Sequence, residues 1–64
     1  MNLHNEDIKK LTTARNNLAA QRRKLADALS DPRKVTPQVE ENFNTVQATI
    51  AAIDRALEDV RRQG

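Results

Sequence analysis

The sequence predicts an all-α fold: an antiparallel helical hairpin of two helices that pairs with a second copy into a four-helix bundle. Three observations carry this expectation. The helix-breaking residues gather in one place, Ser30 to Pro37, with Pro32 and Pro37 among them. On either side the chain is rich in Ala, Leu, Lys, Arg and Gln, which favour helices. After that segment the apolar residues recur at alternating steps of four and three, and before it they fill the same kind of seam apart from two slots, the period of a helix that buries one stripe.

The first helix is expected over about 5–29. Asn2 or Asn5 marks its start; Asn5 can cap the free amides, and Glu6 and Asp7 then fall in the first turn, where the helix dipole favours negative charge. Residues 30–36 form the connection. Each proline there lacks an amide donor and pushes the residue before it away from helical geometry. The second helix is expected over about 37–62, with Thr36 as N-cap, Pro37 at the first helical position and Glu40 and Glu41 in the opening turns. Arg61 and Arg62 suit its C-terminus, and Gly64 closes the chain. Residues 1–64 thus form a single unit.

The stripes fix how the helices meet. In the second helix Val39, Phe43, Val46, Ile50, Ile53, Leu57 and Val60 make an unbroken heptad seam, the pattern of left-handed supercoiled packing. In the first, Ile8, Leu11, Leu18, Leu25 and Leu29 occupy the matching seam, but Arg15 and Arg22 hold two of its slots. Ala14, Ala19, Ala26 and Ala28 flank it and permit close approach of another helix. One antiparallel register centred on residue 34 sets Leu25 against Phe43, Leu18 against Ile50 and Leu11 against Leu57, with Arg15 facing Ile53 and Arg22 facing Val46. Charges favour the same orientation: acidic Glu6 and Asp7 fall near Arg61 and Arg62, and basic Arg22, Arg23 and Lys24 near Glu40 and Glu41.

A pair of helices touches along one line and only partly shields its seam. With no cysteine for a disulfide, a chain of 64 residues lacks the core that small domains need. A second copy is the direct remedy, so the expected assembly is a homodimer with the second helix at its centre. Its interface residues are Phe43, Val46, Ile50, Ile53 and Leu57, faced by Leu11, Leu18 and Leu25. Gln21, on the border of the first stripe, is placed to hydrogen-bond across that interface.

The sequence supplies no catalytic constellation. Without cysteine there is neither a thiolate nucleophile nor a thiolate metal site. His4 is the only histidine, and with Glu6 and Asp7 it falls short of a metal site, so no metal or cofactor is expected. Ser30 and Thr36 have no histidine base and read as capping and turn residues. No acid occupies a seam position where burial would tune its pKa, so the chain is read as not an enzyme. Nothing approaches the roughly 20 continuous apolar residues of a membrane span. Residues 1–8 carry no apolar core of signal-peptide length, and a mean hydropathy of −0.79 points to a soluble, cytoplasmic protein.

What remains is a surface. Arg15 and Arg22 break the apolar pattern on one face of the first helix, and departures of this kind often mark function or specificity. Their aliphatic stems can cover apolar surface while the guanidinium groups reach solvent or a carboxylate such as Asp54. Arg15, Arg22, Arg23 and Lys24 are the candidate partner surface. Residues 1–29 carry six basic and three acidic groups, residues 38–64 three basic and five acidic, so the first helix is the basic side. Those cations scatter around the helix instead of forming a phosphate-binding stripe, and the single aromatic, Phe43, belongs to the seam. The expected function is therefore a non-enzymatic adaptor, chaperone or regulator that binds another protein as a hairpin oligomer. Such a dimer resembles the Rop-type RNA-binding bundle in architecture alone, with no shared motif. That makes a nucleic-acid-binding regulator using the basic side of the first helix the alternative reading. Membrane-surface binding fits poorly, since the apolar face of the first helix lacks Trp and Phe and is broken by two arginines.

Overall fold

The computed structural model describes residues 4–63. It contains two helices, α1 (Asn5–Leu29) and α2 (Pro37–Gln63), and no strand among the described residues. The helices pack side by side as a helical hairpin, a rod of 47 × 15 × 14 Å. No helix of the described residues is long and apolar enough to cross a membrane.

The start of α1 differs from the expected cap. His4 is the N-cap, with extended backbone (φ −79°, ψ 160°), and its side chain bonds no amide. Asn5 is already inside the helix, so its side chain does not cap it; Asn2, the other candidate, lies outside the described residues, as does Gly64. The helix nevertheless starts here because the Ile8 amide donates to the His4 carbonyl at 3.0 Å, and Glu6 and Asp7 fall in the first turn beside the free amides.

The connection is held mainly by Asp31. Its backbone carbonyl accepts from the amides of Lys34 (2.9 Å) and Val35 (3.1 Å), and its Oδ1 accepts from the Arg33 amide at 2.9 Å. An Asx-type turn of this kind supplies locally the acceptors that the loop amides would otherwise find in water. Before it, Ser30 stays in right-handed helical geometry, with its amide on the Ala26 carbonyl at 3.1 Å and its hydroxyl on the Asp27 carbonyl at 2.7 Å. No described residue has a positive φ, so the chain reverses without glycine. At the far side Thr36 caps α2: its Oγ1 accepts from the Val39 amide at 3.1 Å, and Pro37 takes the first helical position, where a missing amide is harmless.

The core lies on α2. Val46, Ile50 and Ile53 are buried, with 8%, 3% and 9% of their surface exposed, whereas α1 contributes no buried residue. The asymmetry follows from the seams. The α2 stripe has no polar interruption, while the α1 stripe has an arginine at each of the two slots that face Val46 and Ile53. Leu11, Leu18 and Leu25 on α1, and Phe43 and Leu57 on α2, are half-buried.

Candidate functional site

The two long flanks of the hairpin differ in chemistry. One carries a polar ladder. Arg15 on α1 places Nε on Oδ1 of Asp54, with Nη2 at 3.5 Å from Oδ2, a two-pronged guanidinium–carboxylate contact across the helices. One heptad further along α1, Arg22 donates from Nη1 to Oε1 of Gln47 at 2.7 Å. A step of seven forward on α1 is matched by a step of seven backward on α2, the signature of antiparallel packing in a constant register. Both arginine side chains therefore lie over the seam and reach polar partners at the far edge of α2, as their long aliphatic stems allow. The hydrogen bond to Asp54, and then its negative charge, hold the Arg15 guanidinium pKa above its ordinary value; slight desolvation opposes them.

The ends of the helices do not pair through charge. Among the described residues Arg15–Asp54 is the ion pair that joins α1 to α2. Arg61 pairs instead with Glu58 on its own helix, at 3.9 Å, and Arg33 with Asp31 inside the loop, at 3.5 Å. The complementary ends thus act at most through their long-range field.

The opposite flank carries an open groove of about 260 Å³ lined by Gln21, Lys24 and Leu25 from α1 and by Asn42 and Val46 from α2. Lys24 lies two residues past Arg22, about 200° round the helix, which is why it faces this side. The groove matters because Val46 and Leu25, both seam residues, form part of its floor. A broader depression along the outer surface of α1 is lined by Lys9, Lys10, Thr13, Ala14 and Asn17.

The four candidate partner-surface residues do not gather into one patch. Arg15 and Arg22 are half-buried and engaged with α2, Arg23 is exposed, and Lys24 borders the groove on the other flank. Asp54 as a carboxylate within reach of Arg15 was readable in the sequence; Gln47 was not singled out, although it stands one heptad before Asp54 and so on the same edge of α2. Asn42 as a groove residue was likewise missed, because it lies outside the apolar seam. Among the described residues no group of three or more His, Cys, Asp or Glu is placed to hold a metal ion, and His4 is exposed. Compared with protein-family models, with curated proteins and with solved structures, the chain matches none.

Proposed function

We propose that this hairpin is a small non-enzymatic interaction module, an adaptor, chaperone or regulator, that works as an oligomer of hairpins and presents the resulting surface to another protein. One observation carries the reading: only Val46, Ile50 and Ile53 of the α2 seam are buried, and the apolar stripe of α1 contains no buried residue. Apolar stripes left half-wet in each helix gain from further helix packing at roughly 25 cal/mol for each Å² removed from water. A homodimer with the α2 seam at its centre provides that packing through contacts each copy already carries.

The nucleic-acid reading has weaker support. Two of the cations it would use, Arg15 and Arg22, are engaged with Asp54 and Gln47. The protein reading is tested by absolute-mass size-exclusion chromatography of the purified chain. The expected mass is twice 7.2 kDa, and Ile50→Asp should abolish both oligomer and helicity. A compact monomer at high concentration, or a folded monomeric Ile50→Asp variant, overturns the assembly.

A further inference from the structure

The two flanks are unequal, and that inequality specifies how a second copy would sit. On one flank the Arg15–Asp54 and Arg22–Gln47 contacts close the crevice between the helices with charged and polar groups. On the other, Gln21 belongs to a line of residues seven apart, Ala14, Gln21 and Ala28, whose small members leave room for a neighbouring helix. The matching line on α2 is Asn42, Thr49 and Ala56, again without a long charged side chain. The groove floored by Leu25 and Val46 lies between these lines at Gln21 and Asn42.

Resting on the oligomer proposed above, we infer that a second copy of this chain docks on the groove flank, with α1 of each copy against α2 of the other and both loops at the same end. The size of the face fits that occupant. A hairpin face of 47 × 15 Å offers roughly 700 Å², close to the ~800 Å² per partner of a stable interface.

Charge chooses between the two symmetric ways of stacking the groove flanks. A two-fold axis along the rod puts α1 against the other copy's α2, antiparallel, with the loops together. An axis across the rod puts α1 against the other α1, also antiparallel, with the loops 47 Å apart at opposite ends of the rod. α1 carries six basic and three acidic residues and α2 three basic and five acidic, so the first arrangement pairs helices of opposite net charge. The second pairs basic with basic. It does so at close quarters: α1 is centred on Asn17, and Lys10 and Lys24 stand seven residues to either side of it, on the same flank as the groove. In full overlap Lys10 of each copy would therefore meet Lys24 of the other, and like charges set opposite one another disfavour that packing. In the first arrangement Lys24 instead meets the uncharged line that contains Asn42 and Thr49.

The chain has no cysteine, so a single label can be placed in the loop without background. In Lys34→Cys, an exposed loop position, a nitroxide label read by double electron–electron resonance reports the loop-to-loop distance. Loops at one end give a distance below about 30 Å, from helices ~8–10 Å apart plus two label tethers. A dimer whose label distance falls near the 47 Å rod length overturns the inference but leaves the oligomer standing. A monomeric mass for the labelled and unlabelled protein overturns both. Lys10→Glu supplies a second reading. It replaces the Lys10–Lys24 repulsion of the loops-apart packing with an attraction, so a population at the long label distance should appear; a label distance unchanged from the parent overturns the claim that the groove-flank lysines choose the packing.

Discussion

Arg22 spans the hairpin to Gln47, Nη1 to Oε1 at 2.7 Å, from a position where the heptad pattern of α1 calls for an apolar side chain. With Arg15 on Asp54 one heptad away, it converts one edge of the helix–helix contact from apolar to polar. The consequence is a core owned by α2 alone and a hairpin with one closed and one open flank.

If Arg22 holds specificity at the expense of packing, restoring the apolar pattern should stabilise the chain. Arg22→Leu sets an apolar residue against Val46, and Gln47, which is exposed, returns to water. The expected gain is about 0.5–1.5 kcal/mol, seen as a higher unfolding midpoint by circular dichroism at fixed concentration. A lower midpoint would mean that the bond to Gln47 outweighs the apolar contact.

Among the described residues Ile50 is the most buried, only 3% exposed, and Ile50→Ala should cost about 2–4 kcal/mol. Ile53→Val, at a site with 9% exposure, removes one methylene and should cost about 0.5–1.5 kcal/mol. Urea titration of both variants checks the ratio, and equal losses would contradict a core centred on Ile50.

The loop offers two local tests. Thr36→Ala removes the acceptor for the Val39 amide and should lower stability by about 1 kcal/mol. Asp31→Ala removes the acceptor for the Arg33 amide and should cost about 0.5–1.5 kcal/mol. Hydrogen exchange at the amides of Arg33 and Val39 separates these effects, each variant accelerating its own amide first.

The Arg15 shift fixes the sign of one pH dependence. A guanidinium whose folded pKa is raised keeps its full contribution at every pH below the unfolded value, and loses it only as pH rises through the higher folded value. Both values lie above the neutral range, and none of the described residues is a buried charged or polar one. The difference in unfolding midpoint between the parent and Arg15→Gln should therefore stay constant between about pH 7 and 9. Salt is the sharper probe: Arg15→Gln should lower the midpoint by a few degrees at most, and the difference should shrink in 1 M NaCl as the exposed pair is screened.

Much of the architecture was legible because its signals are local. Pro32 and Pro37 forbid helix by their own covalent geometry, Thr36 carries the oxygen that caps the next turn, and the steps of four and three from Val39 to Val60 define a face whatever that face meets. The start of α1 was less legible, since Asn5 and His4 are adjacent polar residues and the cap depends on which carbonyl receives the first amide.

The sequence by itself determined the two helices, the loop between them, and the stripe on each that must turn inward, because period and backbone chemistry are properties of neighbouring residues. Only the tertiary structure decided that Arg15 and Arg22 reach over the same edge to Asp54 and Gln47, and that Lys24 faces the other side. A heptad pattern assigns a residue to a face; where a long flexible side chain comes to rest depends on which polar groups the opposing helix brings within its reach.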